Sequence, residues 1–368
     1  MQGIYIHIPF CAAKCAYCDF LSFADCQADI EAYMTALHSE LRLYAKLYAH
    51  AAVPTIFFGG GTPTLVPAEL LVSTLQLVKS LFDVAEDAEI TLEANPETVN
   101  LDLLSTLRKA GFNRISFGVQ AFDDFLLRRI GRIHTAETAA FAVSLAREAG
   151  FTNVNLDLMF SLPDQSLADW EATLDRAIAL NPEHLSCYSL ILEDGTPLAK
   201  EIDLVLPDED TDRAMYALAK ERLAQAGYAQ YEISNFAKGG YHSRHNCIYW
   251  TGVDYIGAGL GAHSLLDERR LCNTDDLKQY ISGNCGVEVL ETLTPLERRA
   301  EFMVLGLRMT QGISEADFHT NFGRTLDAIY GEAVAEMVRD GLLVRENGYL
   351  RLTDRGVDIS NRVFARFL

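Results

Sequence analysis

Apolar residues recur in two alternating rhythms over the first two-thirds of the chain. Short β-branched and aromatic runs at 3–8, 55–58, 89–93, 114–119, 153–158 and 185–191 have the length and composition of buried strands. Between them, stretches at 28–50, 67–82, 100–110, 135–149, 166–180 and 208–226 carry apolar residues at helical spacing. Gly111, Gly150 and Gly227 follow three of these helices, where glycine takes the left-handed backbone of a helix stop at no steric cost. Strand–helix alternation predicts an α/β fold, a partial, TIM-like (βα)6 barrel. In such barrels functional groups gather at the carboxyl ends of the strands, and every motif below is expected there. From about 287 the rhythm changes to helices at 294–309 and 325–340, a hairpin signal at Asn347-Gly348 and a last helix from Thr353. The expected division is a barrel domain over 1–286 and a smaller α+β, winged-helix-like domain over 287–368.

Composition narrows the class. A chain of 368 residues, 49% hydrophobic, can bury the core of a large domain plus a small one. The net charge of −20 has no clustered Lys or Arg to track phosphates, so nucleic acid is excluded as an expected partner. No run of about 18 apolar residues could span a membrane, and the N-terminus lacks the basic and apolar regions of a leader. Eight scattered cysteines suit a reducing compartment, so a cytoplasmic protein is expected.

The densest chemistry lies in GIYIHIPFCAAKCAYCDF, Gly3 to Phe20. A strand ends at Pro9, which has no N–H for a ladder, and Cys11, Cys15 and Cys18 follow as C-x3-C-x2-C. Thiolates hold iron–sulfur clusters, and three of them leave one iron of a four-iron cube open to a small chelating molecule. Structural zinc calls for four closed ligands, and a disulfide role is unsuited to three crowded thiols. His7, on the strand before Pro9, reads as a packing or hydrogen-bonding residue. With this spacing after a first strand, the stretch resembles the radical S-adenosylmethionine (SAM) superfamily. YIHIPFC narrows the resemblance to the branch that holds the oxygen-independent coproporphyrinogen III dehydrogenase, HemN, and its relative HemW, the haem chaperone family.

Further residues fit that resemblance. Gly59, Gly60 and Gly61 follow the second strand and would let a ligand approach the backbone without Cβ obstruction. Glu93 ends the third strand, and a carboxylate there can accept from both hydroxyls of a ribose. Gln120 ends the fourth strand, Asp157 ends the fifth, and Arg132 lies in IGRIHT, where alone it would read as a solvated cation. The resemblance implies a [4Fe–4S] cluster on the three cysteines. It also implies SAM contacts by Phe20, Gly60, Gly61, Thr62, Glu93, Gln120, Arg132 and Asp157, with Tyr5 near the cluster and Tyr17 beside the adenine.

Two departures from the dehydrogenase favour the chaperone family. Phe20 stands where that enzyme has a further cysteine, and only Met1 and Gln2 precede the first strand, so an open site is expected. A third feature is His245, Asn246, Tyr249 and Trp250, which form an HN-x-x-YW motif resembling the HemW signature. An imidazole and flat aromatic faces suit a haem, yet the same residues suit a capped turn and core aromatics. His242 and Cys247 are alternative ligands, and Gly257, Gly259 and Gly261 form a permissive loop toward His263, expected near the SAM site. The resemblance thus implies a carrier with haem as cargo, apo-haemoprotein acceptors such as respiratory-chain enzymes, and a cluster-associated homodimer. The rival is the oxidative decarboxylation of coproporphyrinogen III; a radical SAM enzyme acting on RNA is disfavoured by the charge.

Overall fold

The computed structural model describes residues 3–48 and 52–368, so the end of the helix expected over 28–50, together with Met1 and Gln2, lies outside the described residues. Six parallel strands stand where the apolar runs fall: β1 (Gly3–Ile8), β2 (Ala52–Gly60), β3 (Asp83–Ala94), β4 (Arg114–Gln120), β5 (Val154–Phe160) and β6 (His184–Ser189). The helices between them are α1 (Ile30–Tyr48), α2 (Ala68–Leu81), α3 (Leu101–Ala110), the unexpected short α4 (Asp124–Arg129), α5 (Ala136–Glu148), α6 (Leu167–Ala179) and α7 (Glu209–Gln225). Capping explains their starts: Asn100, Asp123, Thr135, Ser166 and Asp208 each accept a hydrogen bond from a first-turn backbone N–H.

The sheet runs further than the periodicity predicts. Short antiparallel strands β8 (Asn235–Ala237) and then β7 (Ala229–Gln230) continue the sheet beyond β6. After α8 (Arg244–Thr251), strand β9 (Tyr255–Ala258) pairs parallel with β1, and β10 (His263–Leu266), β11 (Arg269–Cys272) and, beyond α9 (Leu277–Ile281), β12 (Glu288–Thr292) extend that edge antiparallel. Among the described residues the order is β12-β11-β10-β9-β1-β2-β3-β4-β5-β6-β8-β7, an α/β sheet whose first six strands form the partial barrel. Gly257 therefore lies inside a strand, not in a loop. It must be glycine because an added Cβ would stand 2.0 Å from the His263 carbonyl oxygen.

The two faces of the parallel strands differ. Ile4, Ile6, Ile56, Phe58, Leu92, Ile115, Phe117, Leu156 and Leu185 turn outward into one continuous apolar core with the helices. Alternate positions turn into the barrel lumen. There the register lines up Tyr5, Phe57, Thr91 and Arg114 in one row and Glu93, Ser116, Asn155 and His184 in the next. The inner face is polar and buried.

The C-terminal part packs a second core around Met303, Leu307, Phe318, Met337 and Phe367. It holds α10 (Pro295–Gly306), α11 (Glu315–Phe322), α12 (Leu326–Arg339) and a three-stranded sheet of β13 (Ile313–Ser314), β14 (Leu343–Glu346) and β15 (Tyr349–Leu352). The β14–β15 turn has the expected Asn347-Gly348, both with positive φ. The last helix is broken into α13 (Asp354–Asp358) and α14 (Ser360–Phe364), and α11 was not expected.

Candidate functional site

The cysteine loop leaves β1 at Pro9 and is tied down along its length. Cys11 N donates to Phe23 O at 2.9 Å, Phe23 N to Pro9 O at 2.8 Å, and Ala16 N to Ile130 O at 3.0 Å beyond α4. His7 is the hydrogen-bonding residue expected: Nε2 donates to the Leu21 carbonyl at 2.9 Å, and Nδ1 accepts from the Tyr5 hydroxyl at 3.0 Å. Cys11 is buried, Cys15 and Cys18 are half-buried, and all three line a cavity of about 450 Å³ at the carboxyl ends of the strands. Burial raises the pKa of the Cys18 thiol above its ordinary value. Among the described residues no three His, Cys, Asp or Glu close tightly enough to hold a single metal ion.

The same cavity is lined by Tyr17, Phe20, Gly60, Gly61, Thr62, Glu93, Gln120, Arg132 and Asp157. The glycine turn approaches closely: Gly61 N donates to Ile8 O at 2.8 Å and Gly60 N to Glu93 Oε2 at 3.1 Å. A Cβ on Gly61 would stand 2.6 Å from the Phe10 carbonyl oxygen and 3.0 Å from Cys11 Sγ. Gly61→Ala is therefore expected to push the cysteine loop outward, costing about 1–3 kcal/mol by overpacking. Lowered thermal stability together with lost iron retention checks it; an unaltered loop in a crystal structure of the variant would contradict it.

Arg132 is not a solvated cation. It is buried, and its guanidinium donates to Asn95 Oδ1 at 2.8 Å, Gly118 O at 2.5 Å and Cys15 Sγ at 3.5 Å. Burial opposes its charge, but Tyr17, Cys15 and Glu97 outweigh that and hold its pKa above the ordinary value. Asp157 sits inside β5 and is partnered, accepting from Ser116 Oγ at 3.0 Å and Asn155 Nδ2 at 2.8 Å. Glu93 is pushed up to about 8 by burial and then by Asp157. Gln120 has φ 68°, a left-handed strand end that aims its amide at the cavity, where its oxygen accepts from Tyr188 at 2.8 Å. Among the lining residues that the sequence reading missed are Asn95 and Tyr188. Asn95 bridges Thr62 Oγ1, at 3.0 Å, to Arg132, and its place in an Asn-Pro turn suggested only a local role. Tyr188 lies at an apolar strand end with no distinguishing signal.

The HN-x-x-YW segment does not lie at the carboxyl ends. It forms α8, across the opposite mouth of the lumen, where Gly3 at the start of β1 meets Ile248 and His245. Glu89, where β3 resumes pairing with β2 after a register shift, accepts from Arg244 N and His245 N, both at 3.0 Å, as a carboxylate does at a helix N-terminus. His245 is 1% exposed, stacks on Phe57, and has one ring nitrogen 3.0 Å from Thr55 Oγ1 and the other 3.0 Å from the Tyr249 hydroxyl. Burial pushes its pKa down to about 3, so it is neutral. Tyr5 belongs to this inner region, not to the cysteine cavity: Tyr5, His245, Asn246 and Tyr249 line a separate cavity of about 210 Å³. Trp250 turns away and stacks under Arg308, 4.4 Å from its ring centre, at the C-terminal part. The four residues thus share no open face, and the inner cavity is smaller than the roughly 300 Å³ a drug-sized ligand needs. Their spacing is that of a short plug helix with one inward and one outward side. His263, by contrast, is exposed and lies at the cluster side, following Gly261, whose Cβ position adjoins Leu21.

The donor set at the carboxyl-end cavity fits a cluster and SAM: three thiols on one loop, a glycine edge that admits backbone contact, and buried carboxylates and amides beside it. Comparison with known proteins gives the family. Residues 5–177 match the model of the radical SAM superfamily, and residues 293–359 that of the HemN C-terminal domain. The chain is 38% identical over 376 residues to the Heme chaperone HemW of Bacillus subtilis, covering 100% of this chain and 99% of that one. Against the Heme chaperone HemW of Escherichia coli it is 37% identical over 372 residues, covering 100% and 98%. It superimposes on the structure of coproporphyrinogen III oxidase (HemN) from Escherichia coli with a TM-score of 0.87 at 26% identity, covering 100% of this chain and 89% of that one.

Proposed function

We propose that this chain, which belongs to the radical SAM superfamily and within it to the family of the HemW haem chaperones, binds a [4Fe–4S] cluster and SAM and passes haem to acceptor haemoproteins. Cys11, Cys15 and Cys18 would hold the cluster, and Gly60, Gly61, Thr62, Glu93, Gln120, Arg132 and Asp157 would surround SAM, with Tyr17 on its adenine. When bound, the pair supplies one-electron reductive chemistry on the sulfonium. The residues of the chain position and shield: the Gly60 turn offers backbone groups, Glu93 and Asp157 offer acceptors to hydroxyls, and Arg132 holds the cysteine loop against Asn95. A division of the chain into a larger and a smaller part, expected near 287, is part of the same proposal; β12 stays with the large sheet, and the separate C-terminal core supports a boundary just after it.

One observation carries the carrier reading over the enzyme. Phe20 is 65% exposed at the rim of the cysteine cavity, where it offers an apolar face to a bulky ligand. The likeness to HemN favours the second reading, decarboxylation of coproporphyrinogen III. Anaerobically reconstituted protein should give a shifted Soret band with stoichiometric haemin and release it to an apo-acceptor. Absence of stoichiometric binding, with protoporphyrinogen IX formed at an enzymatic rate, would select the enzyme instead.

The position of α8 adds a prediction. His245→Ala is expected to cost about 1–3 kcal/mol, because the Tyr249 hydroxyl loses a buried partner. The haemin spectrum should be unchanged by it. A lost Soret shift in a variant that still folds would mean that α8 leaves the lumen to ligate haem.

A further inference from the structure

Between the carboxylates of the site and α8, the 210 Å³ inner cavity is lined by Glu93, Arg114, Asp157, His245 and Tyr249 among others. Arg114 is 2% exposed, and its side chain shares the inward row with Tyr5, Phe57 and Thr91. Among the described residues its Nε has no hydrogen-bond partner and no carboxylate pairs with it directly. A guanidinium carries five donors and is costly to bury bare. The cavity has room for several waters, each about 30 Å³ in the liquid, and polar walls to hold them.

We infer that Arg114 is a positioning residue of the nucleoside site, whose charge, relayed by water in the inner cavity, holds Glu93 and Asp157 ready as acceptors for the ribose hydroxyls. This rests on the reading that SAM occupies the cavity above. The other groups around the carboxylates supply no cation to them. Burial raises the pKa values of Tyr5, Tyr17, Tyr188 and Tyr249, which stay neutral, His245 is neutral, and Arg132 is committed to Cys15, Asn95 and Gly118. Burial and then Asp157 raise Glu93, while the Gly60 N–H and Arg114 pull it back. Asp157, raised by burial, is also drawn down by Arg114, after Ser186, Asn155 and Ser116.

The test is the pH dependence of SAM binding to the reconstituted protein, by equilibrium dialysis from pH 6.5 to 9.5. Affinity should rise with pH as Glu93 ionises, with a midpoint near 8 in the wild type. Arg114→Gln should move that midpoint up by about one unit and weaken binding about tenfold at pH 7.5. Arg114→Lys should restore the midpoint, and in a Glu93→Gln background Arg114→Gln should produce no shift. A wild-type midpoint in Arg114→Gln, or a uniform loss at every pH that lysine does not repair, would overturn the inference and leave Arg114 a packing residue. A high-resolution crystal structure gives a second measurement: waters bridging Arg114 to Glu93 or Asp157 support it, and a dry cavity sinks it. If the wild type binds no SAM at any pH, the underlying reading falls first and this inference with it.

Discussion

Replacing Cys11, Cys15 and Cys18 together by alanine is expected to yield a folded protein that retains neither iron nor sulfide after anaerobic reconstitution. The loop that carries them is held by backbone bonds from Cys11, Phe23 and Ala16 and by His7 on Leu21, none of which uses a sulfur. Cys15 and Cys18 are only half-buried, so the stability cost should be about 1 kcal/mol or less apiece. The loss of metal should be complete, because thiolates are the ligands and alanine has none. Alanine at Cys26, Cys247 or Cys272 should leave iron content at the wild-type level, which separates the trio from the chain's other thiols. Iron and sulfide assays with the visible spectrum check both halves. Undiminished iron in the triple variant would remove the premise of every step built on it.

Arg132→Met is expected to be the most damaging single substitution in the SAM cavity. It leaves the Asn95 oxygen and the Gly118 carbonyl without their donor, at about 1–3 kcal/mol for each buried orphan. Removing a buried charge returns part of that, so a net loss of about 2–4 kcal/mol is expected in denaturant unfolding. Asn95 also holds Thr62, which lies 3.7 Å from Cys11 Sγ, so the glycine edge and the cysteine loop should loosen together and SAM affinity should fall. Arg132→Lys should recover little, since an ammonium cannot reproduce the two-armed reach to Asn95 and Cys15. Unfolding unchanged from the wild type would show that Asn95 and Gly118 find other partners.

Much of this protein could be read from its residues. The six parallel strands, the helices between them other than α4, and the β14–β15 turn follow from periodicity, glycine stops and Asn347-Gly348, because each is fixed by local backbone chemistry. The cysteine trio and most of the cavity lining were also legible, since short motifs at strand ends carry their own geometry. Other features were invisible along the chain. A strand that buries apolar residues on one face and polar ones on the other reads simply as buried, so the polar lumen, the particular partners of Asp157 and the unpartnered Nε of Arg114 could not be foreseen. Taken singly Arg132 reads as a surface cation, and the resemblance alone marks it as a site residue; α4, too short to show a period, is what folds it inward. The largest displacement concerned α8. Its motif was placed by analogy at the strand ends, but Glu89, far away in sequence, receives its first N–H groups and seats it at the other mouth of the lumen.

Sequence alone determined which elements form and which thiols could grip a metal, because those depend on neighbours within a few residues. Only the tertiary structure decided which polar side chains face one another, because pairing across parallel strands depends on register. A one-residue change of register would turn Glu93, Arg114 and Asp157 out of the lumen and into the apolar core.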